Sequence, residues 1–127
     1  MNTNAKAARV AMESDARAAQ VLTVILALVY FFVGFAQIAG VPGIAESFAR
    51  WGYPGWFHIL IGVAELAGAA ILLIPKAAAF AAVGLMILMV GAAYTHIQSG
   101  EYPMIVLNAL LIALLGWLGW LRRPAWE

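Results

Sequence analysis

Apolar residues run almost unbroken through four stretches, about residues 18–39, 56–74, 77–97 and 103–121. Each is close to the roughly 20 residues with which an α-helix crosses a bilayer. Gly40, Pro42 and Gly43 stop the first stretch. Pro75 and Lys76 separate the second from the third and leave so short a connection that the two form a helical hairpin. Ser99, Gly100, Glu101, Tyr102 and Pro103 make the last turn, with Pro103 suited to the first position of a fourth helix. Between the first two stretches, Ile44, Phe48 and Trp51 recur at helical spacing beside Glu46, Ser47 and Arg50, which predicts a short amphipathic helix at the membrane interface. The pattern as a whole predicts an all-α, polytopic integral membrane protein: a four-transmembrane-helix bundle over 18–121, a polar arm over 1–17 and a short tail over 122–127. The first stretch is too long for the core of a signal peptide and no A-x-A site closes it, so it is expected to be retained.

Composition sharpens this reading. Apolar residues make up 65% of the 127 and charged residues 10%, with a mean hydropathy of +0.94, so the solvent this chain suits is a lipid bilayer. Four spans leave no length for a soluble catalytic domain. Without cysteine, disulfides, thiolate zinc sites and dithiol exchange are excluded, and redox work would run through a bound cofactor. A net charge of +1, with no basic residues clustered among aromatics, excludes nucleic acid as a partner. There is no nucleophile–base arrangement, phosphate-binding loop or strong metal motif to name a reaction.

The basic residues set an expected orientation. With four spans, Lys6, Arg9, Arg17, Lys76, Arg122 and Arg123 share one side and only Arg50 falls opposite, so both termini are expected in the cytoplasm of a bacterial inner membrane. Trp51, Tyr53, Trp56 and Phe57 would form the outer aromatic belt, and Trp117, Trp120 and Trp126 the inner one.

The candidate chemistry lies in the few polar residues of the spans. Glu65 sits midway between Trp56 and Ile74, where an ionised side chain costs about 2.5 to 3.5 kcal/mol even on the lenient insertion scale. His58 precedes it by two helical turns on the same face, with Gly62 opening space between them. On the expected topology His96 and Thr95 in the third span, Gln37 in the first and Asn108 in the fourth all fall in the same half of the membrane. His58, Gly62, Glu65, His96 and Asn108 are therefore the candidate ligand-binding residues. The plainer reading keeps Glu65 and Asn108 as hydrogen-bonded glue between helices, worth about 0.6 kcal/mol per pair, and the two histidines as interfacial residues. Gln37, Thr95 and Gln98 read as helix-end polar residues. Gly62, Gly68 and Ala69, Gly84 and Gly91, and Gly116 and Gly119 read as points of close helix packing.

From about Gly34 onward the chain resembles the DoxX-like family of small bacterial four-helix membrane proteins. The resemblance rests on Trp51-Gly52-Tyr53-Pro54, on Gly62-Val63-Ala64-Glu65-Leu66-Ala67-Gly68-Ala69, on Leu72-Leu73-Ile74-Pro75 and on Gly91-Ala92-Ala93-Tyr94-Thr95-His96, in that order. Where many relatives have Gly-x-x-Lys near the end of the first span, this chain has Gly34-Phe35-Ala36-Gln37. The resemblance implies a redox association, since members are linked to thiosulfate:quinone oxidoreduction as small subunits and to redox-stress complexes. It also matches Glu65 and His96 to recurring polar positions. The function expected is a quinone-linked or redox-associated accessory subunit with an outward-facing polar pocket, quinone being the cofactor implied. The alternative is a structural membrane subunit or a small permease with Glu65 on its path. Partner subunits or a second copy would complete either assembly.

Overall fold

The computed structural model describes residues 2–124; the expected anchor Trp126 lies outside them. It is all-helical: α1 (Thr3–Ala39), α2 (Ile44–Arg50), α3 (Phe57–Leu72), α4 (Ala78–Gln98) and α5 (Tyr102–Leu121). α1, α4 and α5 are long and apolar enough to cross a membrane. α3 is apolar but has 16 residues, a helix of about 24 Å against a hydrocarbon core of roughly 30 Å. The expected second span, over 56–74, is thus shorter than the apolar stretch that suggested it. Proline explains the difference: beyond Leu72 the chain tightens into turns in which Leu73 and Ile74 donate to Ala70 and Ile71, ahead of Pro75, which cannot continue the helix.

α1 starts well before the apolar stretch, because the polar arm is itself helical. Asn2 caps it by accepting from the Ala5 N–H at 2.8 Å, Arg9 pairs with Glu13 one turn on, and alanines fill the remaining positions. The helix ends at Gly40, whose φ of 66° permits the left-handed cap in which Val41 N–H donates back to Ala36.

α1 packs along α3 and α4 along α5; the two pairs meet more sparingly, through α3 with α4 and α1 with α5, while α2 rests on α3. Ala19, Leu22, Leu26 and Tyr30 give α1 a buried stripe that meets Ala69 and Leu72 of α3, Leu85 and Met89 of α4 and Leu115 and Leu118 of α5. Outside this core the surface is itself apolar: Phe32, Phe80 and Val106 are each 65% exposed or more, as expected of a bundle covered by lipid. Lys76, Arg122 and Arg123 gather at one end around a common cleft, and α2 covers the other.

Candidate functional site

His58, Gly62, Glu65, His96 and Asn108 are all buried, but they do not converge on one pocket. They divide between the interior of the bundle and a cavity beneath α2.

The interior group joins α1 to α3. Gln37 Nε2 donates to Glu65 Oε2 at 3.2 Å, and His58 Nδ1 bonds the backbone carbonyl of Gln37 at 2.7 Å. Since a carbonyl can only accept, this fixes the His58 tautomer with its proton on Nδ1. The partner expected for Glu65 was Asn108; the structure pairs it with Gln37 instead, and Asn108 Nδ2 has no partner among the described residues, nor do Tyr30 Oη and Gln37 Oε1. Tyr30, Glu65 and Asn108 each lie seven residues along their helices from Gln37, His58 and Glu101, so they form a second polar layer about 10 Å deeper in the bundle. Tyr30 is 1% exposed.

The space expected beside Gly62 is filled. A Cβ on Gly62 would stand 2.6 Å from the Gly34 carbonyl oxygen and 2.8 Å from Ile38, and one on Gly34 would stand 2.8 Å from the Gly62 carbonyl oxygen. The two glycines let α1 and α3 touch backbone to backbone. Gly62 therefore opens no groove towards α4 and α5, and it holds α1 in the register that brings Gln37 to Glu65.

The second group surrounds a cavity of about 320 Å³ between α3 and α4, roofed by α2 and the turn that follows it. Phe48, Trp51, Tyr53 and Phe57 form its aromatic wall, with Tyr53 and Phe57 stacked at 4.6 Å. Its polar edge is Thr95 and His96, at 8% and 7% exposure. The Thr95 hydroxyl donates to the Gly91 carbonyl, so Tyr53 Oη, 2.6 Å away, is left as the donor to Thr95. His96 Nδ1 bonds Glu101 Oε1 at 3.0 Å, and Trp51 Nε1 donates to the same oxygen at 2.9 Å. The turn makes this possible: Gly100, with φ of 71°, reverses the chain, and Glu101 N–H bonds the His96 carbonyl.

Glu101 orients the histidine. The His96 hydrogen bond above all, with the Trp51 N–H and the nearby Arg50 guanidinium, holds its carboxyl below the usual carboxylate range against the opposing effect of desolvation. An ionised Glu101 accepts from Nδ1–H and leaves His96 Nε2 as the free nitrogen, with no partner among the described residues. A neutral His96 can accept a proton or hydrogen bond at Nε2 and, once protonated, donate one. The Trp51 ring meets the imidazole edge-on at 5.2 Å and fixes its tilt. A larger hollow of about 510 Å³ between α1 and α3 is walled by apolar residues alone and offers nothing to orient a polar head.

Glu101, Trp51 and Tyr53 were legible only as turn and belt residues, and Tyr30 gave no signal beyond its distance of two helical turns from Gln37. An acid five residues after His96, across a Gly turn, was the sign available for Glu101. Gln98, as expected of a helix-end residue, bonds only the exposed Tyr94 hydroxyl.

Among known proteins, the model of the DoxX-like family matches residues 21–118. No curated protein and no solved structure matches the chain.

Proposed function

Because the chain belongs to the DoxX-like family, a family of membrane proteins, we propose that it serves as a quinone-binding accessory subunit of a redox assembly, with the ring held in the cavity beneath α2. The observation that carries this reading is His96: a buried imidazole locked through Nδ1 to Glu101, with a free Nε2, on the polar edge of an aromatic-walled cavity. A quinone ring needs flat apolar surfaces and one or two hydrogen-bonding groups at its oxygens. Phe57, Tyr53 and Trp51 supply the surfaces. His96 supplies the hydrogen bond, as donor to a carbonyl when protonated and as acceptor from a hydroxyl when neutral.

In this reading Glu65, His58 and Asn108 act one step away. Glu65 and His58, with Gln37 and the Gly34–Gly62 contact, fix the α1–α3 pair against which Phe57 is presented. Asn108 extends the polar layer below. α3 serves as a fourth span, its neighbouring turns making up the missing length. The imbalance of basic residues supports an orientation with both termini in the cytoplasm and the cavity in the outer half of a bacterial inner membrane.

The test is binding by purified protein in micelles. A ubiquinone or menaquinone should raise the melting temperature of the wild type and quench Trp51 fluorescence, and His96→Ala should lose both effects while still folding, its ligand-free melting temperature lowered by loss of the Glu101 hydrogen bond. Absence of a shift with either quinone class would remove this reading.

A further inference from the structure

The cavity beneath α2 continues along the bundle. A second hollow of about 350 Å³ lies between α3 and α4 on the side of the cavity away from α2, and Gly84 and Leu88 belong to the walls of both. Two facing stripes make this seam. On α3 it follows Ile61, Ala64, Gly68 and Ile71; on α4 it follows Gly84, Leu88, Gly91 and Thr95, each at the three- and four-residue steps of one helix face. From His96 to Phe80, at the far end, the seam is about 24 Å long at 1.5 Å per residue. Its polarity is lopsided: below Thr95 every wall residue is apolar or glycine.

The two glycines of α4 on this seam behave unlike the others within the helices. Gly34 and Gly62 meet each other's backbone, Gly68 takes the Leu85 side chain, and Gly116 and Gly119 touch Met86 and Ala82, whereas a Cβ on Gly84 or Gly91 would meet nothing within 4 Å. Glycine inside a helix costs about 1 kcal/mol relative to alanine. At Gly84 and Gly91 no protein contact offsets that cost, and what their small size provides is depth. Gly84, Gly91, Ala64 and Phe80 are exposed, so the seam opens sideways to whatever surrounds the bundle.

We propose that the α3–α4 seam is the tail site of the same ligand: the protein takes an amphiphile whose flat, hydrogen-bonding head lies against His96 and whose single apolar chain runs down past Gly84 towards Phe80, entering from the bilayer. This rests on the quinone reading above and narrows it to chain-bearing quinones. The occupant follows from continuity, since the apolar channel starts at the polar edge where His96 Nε2 makes no hydrogen bond to the described residues, and runs from there along the bundle. Because the chain moves from one apolar medium to another, its gain is packing alone. That sets the expected preference at about tenfold rather than the thousands that transfer from water would give.

The experiment compares two probes, the tailless ubiquinone ring and its decyl derivative, on wild type and Ala64→Leu, by thermal shift and Trp quenching in micelles; Ala64 lines the seam but not the head cavity. Wild type should bind the decyl derivative about tenfold more tightly than the bare ring. Ala64→Leu should keep the wild-type affinity for the ring and lose the preference for the tail. If Ala64→Leu does not accumulate, Ala67→Leu narrows the same part of the seam and should act the same way. Equal affinity of wild type for both probes, or a tail preference that survives both substitutions, overturns the tail site and leaves the head site standing. Failure of wild type to bind either probe removes the head site, and the tail site with it.

Discussion

Adding a single methyl group at Gly62 should unfasten α1 from α3. In Gly62→Ala the new carbon would lie 2.6 Å from the Gly34 carbonyl oxygen and 3.0 Å from the Ile38 nitrogen. Both are backbone atoms, so no rotamer change relieves the contact and the helices must part by about 0.8 Å to restore ordinary separation. Overpacking of this kind costs about 1–3 kcal/mol, and a gap of that width forfeits about a quarter to a half of the dispersion energy of each contact along the seam. Alanine returns about 1 kcal/mol in helix propensity, so overpacking alone leaves a net loss of about 0–2 kcal/mol, to which the lost dispersion adds, and the Gln37–Glu65 bond, already 3.2 Å long, should break. Gly84→Ala is the internal control, since its methyl meets no neighbour and should be neutral or stabilising by up to about 1 kcal/mol. The assay is denaturant unfolding in micelles followed by circular dichroism for wild type and both variants. If Gly62→Ala proved as stable as Gly84→Ala, the backbone contact would not be what joins the two helices.

Three further outcomes follow from the same geometry. Glu65→Gln should be milder than Glu65→Leu, because glutamine can still accept from Gln37 while leucine leaves that amide unpartnered at a cost of about 1–3 kcal/mol; comparison of melting temperatures checks it. The folded Glu101 carboxyl titrates below its unfolded value, so the stability it contributes is present above the ordinary carboxylate range and lost as pH falls through the lower folded value. Trp51 emission should therefore change at acid pH, and Glu101→Gln should remove that transition. For orientation, a cysteine introduced at Ser47 or Gly100 should react with an impermeant thiol reagent added outside the cell and one at Asn4 should not; labelling at Asn4 alone would invert the topology.

How far the sequence carried these conclusions differs between helices and contacts. Helix positions follow from periodicity and from Gly and Pro, which is why Gly40 and Pro75 bracket α1 and α3 as expected; the length of α3 was overestimated because an apolar run does not distinguish helix from the turns at its ends, such as Leu73 and Ile74. The polar arm was harder to read, since alanine-rich polar sequence looks alike as coil or as helix, and the Asn2 cap is a local signal. Burial of Glu65 and Asn108 was legible from their depth in apolar stretches, but their partners were not, because those depend on helix rotation: Gln37 faces Glu65 only through the Gly34–Gly62 contact. The same blindness to rotation assigned Gly84 and Gly91 to close packing along with Gly62, where the structure leaves them open.

The first helix carries no Gly or Pro between Thr3 and Val33, and so has no residue at which bends usually form. It is a rod of about 55 Å, held in the bundle from the notch at Gly34 back to Ala19 and exposed from Asn2 through Arg17. About 24 Å of it lies beyond Ala19, so each degree by which the rod tilts there sweeps the Thr3 end sideways by about 0.4 Å. The arm is in effect a lever: a tilt of α1 within the bundle reaches the far end of the molecule enlarged.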